Sequence, residues 1–378
     1  MKEYFKSLCT TAFRCFFRHS LFSCRLSLTA FCLLLAVYFG CGGKPKPEKL
    51  PYSVRQNLNL LQENPQFVIY MNFKNMRQTE FWKENLRDSI INAENTFGNL
   101  MNTFKVATGV SIDDNLDEIY FANSWLGENS IILKGIFNRE KLNNYIINDT
   151  LFTKEDFNGI TLYKSNQNNL YFFFKDNFTL CASNYTKRIE SMMNTTDTSH
   201  TGLSANENIM NVVDDITYKE YFWMFTTEKT FIRGVFENYL KSKSGISEDG
   251  EINKSDSAVI EQFQQIDSSE IQANLILNSL YKSINSISFS LVMKDDLRFV
   301  IQFKCIDDRS AEQLKQAVGG IIIVSKLSAT GKEKKDIGPT EKLLNKVKIE
   351  NYDNYVFIYL TVERENIIQI RESLGKTN

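Results

Sequence analysis

The sequence predicts an α+β fold made of two similar halves, each an antiparallel sheet with helices packed on one face. Three observations predict it. Short β-branched and aromatic runs recur in hairpin order. Stretches with apolar residues at helical spacing lie between them. The order strand, helices, hairpin, helix, strands, helix in residues 56–200 returns in residues 201–378. Antiparallel neighbours with interspersed helices belong to the α+β class, and a repeat of this length is an internal duplication, too long for a solenoid. Phe and Tyr are abundant (29 and 16) against 5 Pro, which excludes a largely disordered chain.

In the first half, residues 66–73 alternate as a strand, and residues 75–86 and 89–107 show helical spacing. Residues 118–125 and 130–137 form a hairpin, followed by a helix over 139–147. Strands are expected at 160–164, 170–175 and 178–182, with a helix over 184–193. Residues 194–208 are rich in Thr, Ser and Asn and read as an exposed connector.

The second half begins with an aromatic strand at 221–226 and helices over 229–241 and 257–284. A hairpin at 287–293 and 298–305 follows, then a helix over 311–327. A charged loop over 332–340, strands at 347–351 and 355–362, and a helix over 366–374 complete it. Within the second hairpin Phe299, Ile301, Phe303 and Cys305 alternate with Val300, Gln302 and Lys304. Successive strand residues point to opposite faces, so the Gln302/Lys304 face is expected to meet solvent.

The N-terminus carries an address. Lys2, Lys6, Arg14, Arg18 and Arg25 precede an uncharged apolar run over 26–40, shorter than the ~20 residues that span a bilayer. A positive region followed by a short apolar one is the layout of a signal peptide. The run ends Tyr38-Phe39-Gly40-Cys41, with Gly42-Gly43 and a Lys/Pro stretch after it.

That junction resembles the lipobox of bacterial lipoproteins, in which a small residue precedes an invariant cysteine. Gly40 and Cys41 match the pattern; Tyr38 stands where Leu is usual. The resemblance implies cleavage before Cys41, diacylation of its thiol, and a membrane anchor through that lipid. Residues 1–40 are then the signal peptide and 41–55 the lipidated cysteine with a Lys/Pro tether. The alternative is an uncleaved membrane helix. Either arrangement places the bulk of the chain in the cell envelope, facing the periplasm or the exterior.

Charge and residue supply exclude several functions. A net charge of −1 gives no basic face for nucleic acid. Beyond the leader the single histidine is His200, which leaves no Ser-His-Asp centre except through that residue and no His-rich metal site. The acidic stretch 113–118 opens like a calcium loop, but Glu118 replaces the turn glycine and Ser124 the bidentate glutamate. Residues 329–333 lack the first glycine of a phosphate loop. No catalytic residue, cofactor or metal is therefore assigned.

Cys181 and Cys305 have two readings, buried free thiols or a disulfide. The aromatic runs 171–174 and 221–223 form sheet core, or else stack on sugars or grip a lipid. The expected function is a membrane-anchored envelope lipoprotein with a non-enzymatic binding or scaffolding role toward a protein or glycan partner. The alternatives are a secreted hydrolase using two carboxylates on envelope glycans, or a partner subunit anchored by the uncleaved membrane helix.

Overall fold

A computed structural model describes residues 43–86, 105–124, 127–148, 152–166, 169–196, 198–234, 280–330 and 339–375. The expected leader, Cys41 and most of the helices at 89–107 and 257–284 lie outside these residues. Residues 46–378 form one compact unit. The chain is α+β, and its described residues centre on an antiparallel sheet of twelve strands.

The strands are β1 (Phe67–Asn72), β2 (Leu116–Asn123), β3 (Asn129–Gly135), β4 (Phe152–Phe157), β5 (Ile160–Ser165) and β6 (Leu170–Phe174). They continue with β7 (Thr179–Ser183), β8 (Phe222–Thr226), β9 (Ile284–Met293), β10 (Leu297–Cys305), β11 (Lys348–Tyr352) and β12 (Tyr355–Val362). Their order across the sheet is β11-β12-β10-β9-β8-β1-β2-β3-β7-β6-β5-β4. The expected hairpins appear in register, with Tyr120 opposite Ile132 and Val300 opposite Ser290.

Helices cover both faces, which corrects the expectation of one. Pairing runs Cys181, Ile132, Tyr120, Tyr70 and Trp223 across one face. There Tyr70 packs between Tyr120 at 4.9 Å and Trp223 at 5.4 Å. Helices α1 (Tyr52–Leu58), α4 (Thr186–Asn194) and α5 (Glu207–Asp215) close this core through Val54, Leu58, Ile189, Met192, Ile209 and Val213. The opposite face meets α2 (Phe73–Gln78), α3 (Arg139–Asn148) and α6 (Asp308–Thr330). Helices α7 (Pro339–Lys346) and α8 (Arg364–Gly375) follow in the chain. The physical reason is that the central strands are apolar on both sides, and each side needs a cover.

Asparagine side chains start three of these helices. Asn72 accepts from the Asn75 N–H at 2.9 Å, Asn138 from Lys141 at 2.8 Å and Asn206 from Ile209 at 3.2 Å, each satisfying an otherwise free helix donor.

Two further expectations fail. The connector 194–208 is docked rather than free: Leu203 is buried and its N–H donates to Leu61 O at 3.2 Å. The Gln302/Lys304 face is covered. Gln302 is 4% exposed and donates to Asp215 O at 3.1 Å, while Lys304 pairs with the Asp215 carboxylate at 2.9 Å. Asp215 at the end of α5 and Thr217 just after it satisfy these polar side chains, which lets Gln302 be buried and Lys304 half-buried.

Candidate functional site

A cavity of about 310 Å³ opens on the sheet face that carries α3. Its floor follows from the pairing register. Ile119 and Phe121 of β2 stand opposite Leu133 and Ile131 of β3, and these face Leu180 and Ala182 of β7. Phe172 of β6 lies beside Ala182. Side chains of one parity along each strand thus form a continuous apolar floor. Leu142 of α3, Phe152 at the start of β4, Leu170, Leu116, Ala107 and Thr108 complete the wall. Thr108 alone among these carries a polar side chain.

The wall is kept in place by buried packing behind it. Leu142, Leu180, Ala182 and Phe172 are all buried. Phe172 stacks on Tyr163 at 4.9 Å, and Phe152 meets it edge-on at 6.3 Å. The volume is about twice the ~150 Å³ apolar cavity that stays dry and takes up benzene, and it sits at the lower end of the range for ligand pockets.

Charged side chains adjoin the wall at the start of α3. Helix α3 begins Arg139-Glu140-Lys141-Leu142, so the residue before the wall residue Leu142 is a lysine. Lys141 lies against Gly109, its Cδ and Nζ 3.7 and 3.9 Å from the point a Gly109 Cβ would occupy. Gly109 follows Thr108 of the wall. Arg139 lies over the Phe174 ring at 4.6 Å and donates to Asp176 O at 2.6 Å.

The residues singled out from sequence fall elsewhere. Cys41 lies outside the described residues. His200 is an exposed loop residue. The acidic stretch 113–118 is held by an arginine: Arg77 pairs with Asp117 at 3.0 Å and donates to Ile112 O and Leu116 O. Among the described residues no group of three His, Cys, Asp or Glu is placed to hold a metal ion. Cys181 and Cys305 are free, buried thiols in separate cores. Burial pushes the Cys181 thiol up to about 12 and the Cys305 thiol to about 11.

Among the described residues, further cavities lie near Gln66 and Glu228, near Lys175 and Asp176, and near Glu128 and Asn184. Each has a single carboxylate in its lining, so none supplies the facing pair that glycoside hydrolysis needs. Among the described residues no helix is long and apolar enough to cross a membrane.

The run Tyr171-Phe172-Phe173-Phe174 carried the only sequence signal for the apolar cavity. Sheet alternation divides it: Phe173 joins the core closed by α1, α4 and α5, and Phe172 lines the cavity. The other lining residues read from sequence as ordinary core.

No protein-family model matches the chain, and no curated protein matches it. Solved structures of TP0453 are similar at low identity. Crystal form III aligns at 9% identity and a TM-score of 0.44, covering 83% of this chain and 96% of that one. Form I aligns at 8% and 0.44, covering 84% and 96%. Form IV aligns at 8% and 0.42, covering 82% and 95%.

Proposed function

We propose that this chain is an envelope lipoprotein, anchored through acylated Cys41, whose domain binds an apolar ligand in the cavity between α3 and the sheet. The observation that supports the binding role is the cavity itself: an open space of about 310 Å³ whose lining side chains are apolar except for Thr108. The leader and its Gly40-Cys41 junction support the anchor. Glu48 is hydrogen-bonded into the domain, its N–H donating to Thr217 O at 3.0 Å. Residues 41–47 are then the tether. A single acyl chain holds a protein only marginally and two hold it stably, so diacylation fits a permanent anchor.

The two halves are an ancient duplication in this account. From the central β1–β8 pair the order runs outward as β2, β3, β7, β6 on one side and β9, β10, β12, β11 on the other. The hairpin β2–β3 is followed by α3, and β9–β10 by α6. Strands β4 and β5 extend the first half alone. Superposition of the two hairpin-and-helix units is the test, and units that differ in order or handedness overturn the duplication.

Two experiments test the function. Cells fed alkyne palmitate incorporate the label into the wild-type chain and not into Cys41→Ala; equal label in both removes the anchor. Native mass spectrometry of the full chain, released from lipid nanodiscs, shows an apolar adduct that is lost in Ala182→Phe, whose ring fills the cavity. An adduct-free wild type, or an adduct unchanged by Ala182→Phe, overturns the binding role.

A further inference from the structure

We propose that the cavity holds one acyl chain of an anionic amphiphile, with the headgroup at Lys141 and Arg139. This rests on the reading of the cavity as a binding site and names its ligand class. Size limits the occupant to one chain, because about 310 Å³ lies at the lower end of the ~300–1,000 Å³ typical of ligand pockets. The carbon-lined floor selects a hydrocarbon and offers nothing to a sugar or a peptide backbone, whose polar groups would be buried without partners.

The orientation follows from where charge is available. The lining contains no ionisable side chain. Lys141 adjoins the wall at two points: it precedes Leu142 in the chain, and its ammonium lies against Gly109, next to Thr108. Arg139 lies over Phe174, which shares its sheet face with Phe172 of the floor. Both cations are exposed, so a headgroup held there remains in water while its chain enters the cavity. Few polar groups at one end of an apolar pocket fix the direction in which a ligand enters. Glu140 lies between the two cations in the chain, which leaves this turn a net positive charge of one, and a carboxylate or phosphate head suits it better than a cationic head.

The test uses the purified full chain in lipid nanodiscs and two probes that share a diazirine-bearing C16 chain, palmitate and hexadecanol. After irradiation, label on peptides carrying Ile131–Leu133 and Leu170–Phe172 is counted by mass spectrometry. Palmitate is expected to label at least tenfold more than hexadecanol, and the preference to fall to near unity in Arg139→Glu/Lys141→Glu. Both changes are at exposed positions, and an unaltered urea midpoint shows the fold retained. Equal labelling of the wild type by the two probes, or a preference untouched by the charge reversal, overturns the headgroup assignment while leaving the cavity as a binding site. No label on either peptide from either probe overturns both.

Discussion

Lys219 fastens Glu48 to the domain: its backbone N–H donates to Glu48 Oε2 at 2.6 Å, and its ammonium donates to Glu48 O at 2.6 Å. The same ammonium serves Asp214 O at 2.9 Å and Ile216 O at 2.6 Å, though Lys219 is only 1% exposed. Burial pushes it down to about 8, against the opposing pull of Asp214 and Glu48. One buried cation thus satisfies three carbonyls where the chain enters the domain.

Lys219→Ala removes that donor from all three carbonyls at once. We expect a loss of roughly 3 kcal/mol in urea unfolding. Glu48→Gln keeps both backbone contacts and loses less than about 1 kcal/mol. Equal losses in the two variants would show that the Glu48 carboxylate, not the lysine ammonium, holds the entry.

The alkaline limit of stability is set in part by Tyr120. Burial raises its hydroxyl well above the ordinary value, and the Glu118 charge raises it further; the hydroxyl donates to Glu118 at 2.6 Å. The native chain then keeps a proton that the unfolded chain releases above about pH 10. Its contribution is complete below that pH and is lost as pH rises beyond it. Urea midpoints measured from pH 8 to 11 should fall more steeply in the wild type than in Tyr120→Phe. Parallel profiles would rule out this source.

The two described thiols resist alkylation. With both pushed to about 11 or 12 and both buried, iodoacetamide at pH 8 should leave Cys181 and Cys305 unmodified in the native chain and modify both in denaturant. Peptide mapping reads this directly. A peptide pair linked through these residues under non-reducing conditions would contradict their free state.

Gly202 is required by backbone crowding. Its φ is +57°, and a Cβ there would collide with Leu61 O and Asn59 O. Gly202→Ala should cost at least ~2 kcal/mol, seen as a lower urea midpoint. An unchanged midpoint would mean that the docked connector is dispensable.

The strands that carry alternating apolar residues were legible, because periodicity reports burial on one face. Residues 118–125, 130–137, 287–293 and 298–305 fall on β2, β3, β9 and β10. Strand β4 was not legible. Its Thr153, Lys154, Glu155 and Asp156 are exposed at the sheet edge, so no apolar pattern marks it; such charge guards an edge against further pairing. Helix α5 was missed although Asn206 caps it and Ile209, Met210, Val212 and Val213 are buried, because the polar run before it obscured its short apolar stripe. The cover over Gln302 and Lys304 depends on Asp215 and Thr217, more than eighty residues away in sequence, and local spacing does not encode that partner. The cavity was illegible for a related reason: a residue that lines a void and one that packs in a core have the same alternation.

The most direct test feeds cells a palmitate analogue bearing both an alkyne and a diazirine, then maps label on the full chain with and without irradiation. Acylation marks Cys41 without light, whereas cavity occupancy marks the lining only with it. The account predicts both: light-independent label at Cys41, and light-dependent label on peptides carrying Ile131–Leu133 and Leu170–Phe172, the latter lost in Ala182→Phe. Light-dependent label that is absent from these peptides, or that persists in Ala182→Phe, would contradict it.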